Sequence, residues 1–481
     1  MRKSLTGLAS VAFVGGLFGR GLRYALNIVI ANGLGTGALG YFAFGMVVMK
    51  AGGVLARLGL DNAAQKFVPK YVTDGDDSAL SGTALFCLAL PFLVGGVLAG
   101  GVFLLDYRFD HLFGVALEPT SLFTLGIPFF GTMMVGIALT KGLKETKYQV
   151  YIRDIGQSVV AILLVGFGAY VVHDLTAVIY GYVFSFVVGT ALVLYFLVDE
   201  DVISFATRPS VDGKRVLGFA LPLTLAAVIQ YLLTWTDILM LGVFLPPSDV
   251  GAYQAAYQTS VLLLVVLQAV NSIFPSMISD LYERDRWEHL QQIFESITKW
   301  ITYITVLGCL FVAIYAKEIL GLFGVSSHEA QMALIVLCIG QTAAASTGPS
   351  GYLLIMTNHE RLQLYNTTVV ALLNFVLNYF LINQFGIVGA ALATTTSFVL
   401  LNILRISEIY HFLGVQPYSL KYWKGAVALV CTVPILVFGS RLPVLELGRI
   451  FTGGIIALPV FFAVIWLLGF EEGDLVVFDK I

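Results

Sequence analysis

Fourteen long apolar segments follow one another along the chain between residues 8 and 469. Most are near the roughly 20 residues that a helix needs to cross the hydrocarbon core of a bilayer. A membrane-spanning strand would instead show about ten residues of alternating polarity. Hydrophobic residues make up 58% of the 481 residues and charged residues only 12%, whereas about a quarter of a soluble domain is charged. We therefore predict an all-α polytopic membrane protein with about 14 transmembrane helices. A soluble enzyme, a disordered scaffold and a disulfide-stapled secreted domain are excluded.

Lysine and arginine are distributed unequally between the connections of these segments. If the amino terminus is cytoplasmic, the inner connections and termini hold seventeen basic residues and the outer connections hold four. Cytoplasmic loops of membrane proteins carry such an excess. The distribution predicts a multi-pass protein of the cell (plasma) membrane with both termini cytoplasmic.

Two pairs of short motifs repeat at nearly the same offset. Gly40 follows the first apolar segment and precedes Tyr41. Gly251 follows the seventh segment and precedes Ala252 and Tyr253. Lys-Tyr-Gln at 147–149 and Arg-Leu-Gln at 361–363 follow the fourth and tenth segments. Six helices return the chain to the same side of the membrane, so we predict two parallel six-helix lobes followed by two additional helices. The predicted domains are residues 1–200, 201–415 and 416–481.

Three cations are predicted at membrane depth in the first lobe. Arg20 and Arg23 share one face of the first segment, and Lys50 lies about halfway through the second. A cation at the bilayer centre costs at least ~2.5 to 3.5 kcal/mol on insertion scales. Ion pairing or snorkelling would explain such residues structurally, but the first half of the sequence offers no carboxylate at the same predicted depth. We therefore expect Arg20, Arg23 and Lys50 to bind an anionic group of a substrate.

Asp237 is the only acidic residue predicted deep within the spans. Two interpretations stay open: it is the counter-ion of a first-lobe cation, or it binds Na⁺ or H⁺ in a coupled transporter. Four amides lie on polar helix faces and are candidates for lining a cavity, although hydrogen bonds between helices are their usual explanation. These amides are Asn27, Gln230, Gln268 and Asn374.

Residues 35–40 match the dinucleotide fingerprint Gly-x-Gly-x-x-Gly. That fingerprint requires a strand before it and a βαβ unit around it, whereas here it joins two spanning helices, so we predict no nucleotide site. The six histidines show no metal-ligand spacing, and no catalytic triad or P-loop pattern is present. The net charge of −3 predicts no nucleic-acid partner. We expect no metal, no cofactor and no enzymatic activity.

Residues 24–71 resemble the amino-terminal signature of the polysaccharide-export family. The similarity lies in Gly-Leu-Gly at 33–35, Gly-Tyr at 40–41, Arg-Leu-Gly-Leu-Asp-Asn at 57–62 and Lys-Phe-Val-Pro at 66–69. This family comprises flippases for lipid-linked oligosaccharides within the multidrug/oligosaccharidyl-lipid/polysaccharide superfamily. The resemblance implies a polyprenyl or dolichyl phosphate or pyrophosphate that carries a glycan and is moved from the cytoplasmic to the outer leaflet by alternating access.

The resemblance also implies roles for individual residues. Arg20, Arg23 and Lys50 would hold the substrate phosphate, as cavity cations do in that family. Related peptidoglycan-precursor flippases carry a basic residue on the eighth helix, where this sequence has Gln268, which argues against a lipid II substrate. The acidic loop at 74–77 and the acidic tail at 471–474 resemble archaeal, halophilic sequences. They suggest a dolichol-linked glycan for the N-glycosylation of surface (S-layer) proteins.

Two other functions remain alternatives. A cation-coupled multidrug or metabolite exporter of the same superfamily would use Asp237 as its central residue. A membrane glycosyltransferase, ligase or polymerase would form a new covalent product from a lipid-linked sugar, although the short predicted loops leave no room for an appended catalytic domain.

Overall fold

The structure is a computed structural model that describes residues 5–108, 120–203, 208–272, 274–443 and 446–471. All regular secondary structure in these ranges is helical, which confirms the predicted all-α class. In chain order the helices are α1 (Leu5–Leu34), α2 (Thr36–Ala56), α3 (Leu60–Asp74), α4 (Asp77–Arg108), α5 (Thr120–Gly142), α6 (Lys147–Val172), α7 (Leu175–Asp199), α8 (Gly213–Phe244), α9 (Pro247–Val270), α10 (Phe274–Glu283), α11 (Trp287–Ile314), α12 (Ala316–Gly321), α13 (His328–Met356), α14 (Glu360–Leu413), α15 (Leu420–Ser440) and α16 (Glu446–Leu468).

Twelve helices in the described ranges are long and apolar enough to cross a membrane. One of them, α14, is broken at Gly386, whose φ of 56° is left-handed and suits a residue without a Cβ. Each part of α14 on either side of this break exceeds the roughly 20 residues of a single crossing. The 30-residue helix α1 is a further long helix outside the twelve. The prediction of an integral membrane protein is therefore confirmed. The count of fourteen spans stays a prediction, which the helix α1 and the break in α14 favour.

The chain divides into two compact units, Met1–Gln254 and Ala255–Ile481. In the first unit α2 is central, because it packs against α1, α4, α5 and α8. The ring of Phe42 on α2 lies edge-on to Phe123 at 5.4 Å and to Tyr182 at 4.8 Å between centroids. Such edge-to-face pairs add to the stabilisation from burying aromatic area. The two lobes and the pair of additional helices remain predictions.

In the second unit α11 packs against α13 and α15, α13 against α14, and α15 against α16. Its main apolar cluster includes Phe274, Phe294 and Leu353, all almost fully buried. The unit has its own hydrophobic core, as a compact domain requires.

The repeated glycines Gly40 and Gly251 contact each other where α2 and α9 cross within the first unit. A Cβ on Gly40 would clash with the carbonyl oxygen of Pro247, and a Cβ on Gly251 would clash with that of Thr36. The two clashes are reciprocal, since each glycine faces the carbonyl four residues before its counterpart. Only glycine permits such an approach of two backbones, which gives a physical reason for the motif at both places.

Candidate functional site

A close approach of α1 to α6 creates the site. Gly19 on α1 faces Asp154 on α6: a Cβ on Gly19 would lie 2.7 Å from the carbonyl oxygen of Asp154 and 2.8 Å from its Cβ atom. Real side chains do not approach so closely, so glycine is needed for the two helices to pack here. As a result the side chain of Asp154 is only 1% exposed.

Two arginines converge on one carboxylate oxygen at this place. Arg23 Nη1 lies 3.4 Å from Asp154 Oδ1, and Arg153 Nε donates to the same oxygen at 3.1 Å. The side chains of Arg23 and Arg153 are 39% and 35% exposed. The second oxygen, Asp154 Oδ2, is buried without a hydrogen-bond partner in the part of the chain that the structure describes. The carboxylate of Asp154 is thus buried, whereas the side chains of Arg23 and Arg153 are partly exposed.

The part of α6 that carries Arg153 and Asp154 is π-helical over Val150–Gln157. Ser158 Oγ donates to the carbonyl oxygen of Arg153 at 3.0 Å, five residues back, and also lies 3.5 Å from Arg23 Nη1. Short π-helical segments within α-helices are frequent at functional sites. Here the π-helical segment changes the register of the backbone hydrogen bonds next to Arg153 and Asp154.

Lysines add further positive charge around the arginine pair. Lys50 on α2 is half-buried and interacts electrostatically with Arg23 and Arg153, and no described residue forms a hydrogen bond or an ion pair with it. Lys141, at the end of α5, interacts with Arg153 and Asp154. We call Arg23, Lys50, Arg153 and Asp154 the cationic cluster. With one carboxylate among three cations, it is suited to an anionic ligand.

The structure brings together two of the three predicted phosphate-binding residues. Arg23 and Lys50 belong to the cationic cluster, whereas Arg20 is half-buried on α1 and forms no hydrogen bond or ion pair with a described residue. Asn27, a predicted cavity residue, is buried one turn after Arg23 and donates from Nδ2 to its carbonyl oxygen at 2.7 Å. Its Oδ1 atom is buried without a partner among the described residues.

Arg23 has a carboxylate partner in the first half of the chain, which the sequence analysis does not predict. Asp154 lies on α6, a helix long and apolar enough to span a membrane, and its buried side chain pairs with Arg23. The sequence analysis places the start of the apolar segment at residue 154, whereas α6 begins at Lys147. The membrane depth of Asp154 and of Asp237 stays a prediction.

Sequence reasoning therefore missed Arg153 and Asp154 as members of the site. A signal was present: Tyr148, Ile152 and Ile155 are spaced i, i+4 and i+7, which is the pattern of one helix face upstream of the apolar run.

Asp237 lies on α8 and is 5% exposed. Its carboxylate accepts hydrogen bonds from Tyr253 Oη at 2.7 Å and from the backbone N–H of Ile238 at 2.9 Å. In the described ranges it takes part in no ion pair. The counter-ion and ion-coupling interpretations of Asp237 both remain predictions.

The other predicted cavity amides lie in different surroundings. Gln230 is exposed on α8 with Thr234 Oγ1 at 3.5 Å, and Gln268 is half-buried on α9. Asn374 donates to Ser397 Oγ at 3.1 Å and thereby joins the two parts of α14 on either side of Gly386. The bond of Asn374 is of the interhelical kind that usually explains such amides.

No group of His, Cys, Asp or Glu side chains that could hold a metal ion occurs in the described part of the chain.

Two family models match this sequence. The model described as "Polysaccharide biosynthesis protein" matches residues 8–281, more than half of the 481 residues. The model described as "MatE" matches residues 222–380.

Relatives and a solved structure extend the comparison to almost the whole chain. The "Probable low-salt glycan biosynthesis flippase Agl15" of Haloferax volcanii is 24% identical over 449 residues, which cover 92% of this chain and 91% of the relative. The "Probable flippase AglR" of the same organism is 25% identical and covers 80% of this chain and 79% of the relative. The structure of the lipid II flippase MurJ in an inward closed conformation is similar with a TM-score of 0.70 and 14% identity, and the match covers 94% of this chain and 97% of MurJ. The fold and the predicted resemblance are thereby confirmed, and the chain belongs to the polysaccharide biosynthesis protein family.

Proposed function

We propose that this protein is a flippase. It translocates a polyprenyl- or dolichyl-phosphate-linked oligosaccharide from the cytoplasmic to the outer leaflet by alternating access, for the assembly of surface glycans or glycoproteins. The family membership and the names of the two Haloferax relatives support this function. The observation that carries the proposal is the cationic cluster, because three cations lie together on the long helices α1, α2 and α6 and the arginine side chains stay partly exposed.

The chemistry of the cluster suits a phosphate ester. A guanidinium group offers five N–H donors in a planar fork that matches phosphate oxygens, and its hydrogen bonds to ionised oxygens are about twice as strong as neutral ones. At membrane depth weak hydration makes each such contact stronger than it is in bulk water. In this proposal Arg23 and Lys50 bind the phosphate, and Arg20 on the same helix forms the approach to them.

The same proposal defines location and partners. The protein lies in the plasma membrane with both termini cytoplasmic, as the distribution of basic residues predicts. Its partners are the lipid-linked oligosaccharide and membrane lipid. It transports without changing covalent bonds and uses neither a nucleotide nor a cofactor. The acidic loop at 74–77 supports a dolichol-linked glycan for S-layer glycoproteins.

A leaflet-resolved analysis of carrier lipids in a deletion strain tests this function. Cells that lack the protein should accumulate glycan-loaded carrier on the cytoplasmic leaflet, and surface glycosylation should fail. Re-expression of the wild-type chain should restore both, while the Arg23→Gln chain at equal abundance should not. Normal amounts of outer-leaflet carrier in the deletion strain would contradict the proposal.

A cation-coupled multidrug or metabolite exporter is the second candidate, because the MatE model covers Asp237 and this buried carboxylate has no ion-pair partner in the described ranges. Na⁺ or H⁺ would bind there. Efflux of a cationic dye from proteoliposomes, driven by a Na⁺ or H⁺ gradient and lost in Asp237→Asn, would establish this function. Gradient-independent dye retention in the wild-type protein would exclude it.

A further inference from the structure

Accessibility differs between the charges of the cationic cluster. The carboxylate of Asp154 is sealed under α1, whereas more than a third of each arginine side chain is exposed. We infer that Arg153 binds the phosphorylated headgroup together with Arg23, and that Asp154 is an internal counter-ion that limits how tightly they hold it. These roles rest on the proposed function.

The geometry of the arginine pair carries the first part of this inference. Arg23 and Arg153 meet at a single oxygen atom, Asp154 Oδ1, so their guanidinium groups are held close together. Arg153 uses one of its five N–H donors for this bond, and Arg23 uses Nη1 for both Asp154 and Ser158. The remaining donors belong to half-exposed side chains. A phosphate has several acceptor oxygens and can therefore bridge the two arginines.

The charges carry the second part. Lys50 and the two arginines repel one another, and Asp154 offsets one of these three positive charges. Because Gly19 lets α1 cover it, the carboxylate cannot turn away into water when a ligand arrives. It therefore competes with every anion that binds to the arginines, and it weakens their hold on that anion. A transporter must release its substrate on the far side, so an affinity limited in this way favours turnover.

A purely structural ion pair predicts the opposite behaviour. Removal of one member of a buried pair leaves its partners uncompensated and destabilises the fold. Ligand binding would then weaken or stay unchanged. The sign of the change in affinity on neutralising Asp154 therefore separates the two roles.

Binding measurements on the purified full-length chain in detergent micelles supply the test. The probes are farnesyl diphosphate, farnesyl monophosphate and the uncharged alcohol farnesol. Asp154→Asn keeps the shape and an acceptor oxygen but removes the charge. We expect it to bind both phosphorylated probes about tenfold more tightly, which equals about 1.4 kcal/mol, and to flip the lipid-linked substrate more slowly. Farnesol binding should not change.

A second variant and a control keep the result interpretable. Arg153→Gln should bind the phosphorylated probes about tenfold more weakly, which is near the lower end of the effect expected for the loss of one hydrogen bond to a charged group. Arg405→Gln is the matched control, because Arg405 on α14 is a partly buried arginine that belongs to the other compact unit and donates to Gln363 at 2.9 Å. Its affinity for the probes should equal that of the wild type. Thermal unfolding of each variant reports whether it has folded.

The outcomes separate the inference from the function. Unchanged or weaker binding by a folded Asp154→Asn protein overturns the counter-ion role, and unchanged binding by Arg153→Gln overturns the role of Arg153. If Asp154→Asn does not fold, its role is structural and the counter-ion role is likewise overturned. If the wild type still binds the phosphorylated probes more tightly than farnesol in these cases, the proposed function stands. A wild-type protein without that preference would contradict the proposed function itself.

Discussion

Two clusters of opposite charges, one in each compact unit, are built in reverse. In the first unit the carboxylate of Asp154 is sealed at 1% exposure and its arginines are accessible. In the second unit the cation Lys299 is sealed at 5% exposure, and its partner Glu471 is 16% exposed. A deep cation is therefore not by itself a sign of a ligand site. A cation that stays accessible can meet a ligand, whereas one enclosed by its own protein partner cannot.

The second cluster has the properties of a structural clamp. Glu471 follows α16 and binds Lys299 of α11 at 3.0 Å and Lys424 of α15 at 3.2 Å. Lys424 also donates to the carbonyl oxygen of Gly469 at 2.9 Å. These bonds fasten the end of α16 to two other helices. Removal of one partner from a buried pair of this kind destabilises the fold, because the other charge is left uncompensated.

The largest effect on flipping is expected from the first cluster. Arg23→Gln or Lys50→Gln should reduce the rate of carrier flipping about 100-fold at equal protein abundance, because each removes a charge that contacts the phosphate in the proposed function. The measurement is the rate at which glycan-loaded carrier reaches the outer leaflet in reconstituted vesicles. Wild-type rates in both variants would refute the site assignment.

A tenfold loss is expected when the seal over Asp154 is disturbed. In Gly19→Ala the new Cβ would meet the backbone of Asp154 at 2.7 to 2.9 Å, so α1 must shift away from α6. Small-to-large changes at well-packed positions cost about 1–3 kcal/mol. Gly16→Ala is the matched control, because no atom lies within 4 Å of a Cβ at that glycine. Equal flipping rates and equal unfolding temperatures for the two variants would contradict the close-packing argument.

Arg20→Gln should have a smaller effect, about two- to threefold on flipping. Arg20 lies on the same helix as Arg23 but forms no hydrogen bond or ion pair with the described residues of the cationic cluster, and partly exposed charges contribute roughly 0–1 kcal/mol. The vesicle assay and a titration with added salt measure this contribution, which salt should screen. A loss as large as that of Arg23→Gln would place Arg20 among the primary phosphate ligands.

The smallest effect on flipping is expected from the second cluster. Lys299→Gln should leave the flipping rate per folded molecule unchanged but lower the stability by about 1–3 kcal/mol, less than the 3–5 typical of a broken buried pair because Glu471 keeps Lys424. Thermal unfolding in detergent detects the loss, and Lys317→Gln, at an exposed position, is the control. A flipping defect without loss of stability would remove the distinction between the two clusters.

The sequence predicted a chain of apolar helices, and it indicated Arg23 and Lys50, which the structure brings together, for a simple reason. Both depend on local properties, namely the length of an apolar run and the position of a charge within it. The same reasoning places Asp154 at the edge of a span. The polar residues among 147–154 interrupt the apolar run, so that the run begins later than α6 does. Lys299 and Arg23 each lie within an apolar segment, and only the fold shows their partners, Glu471 and Asp154.

Apolar run lengths by themselves determined that this chain is an all-helical membrane protein, because a backbone in lipid must satisfy its hydrogen bonds within each helix. The sequence also places Arg23 and Lys50 within two of the apolar segments. Tertiary structure alone decided which charges meet, since Arg23 and Asp154 are separated by 131 residues and are joined only where Gly19 lets α1 and α6 touch. It also decided which member of each pair stays accessible, because accessibility depends on what neighbouring helices cover.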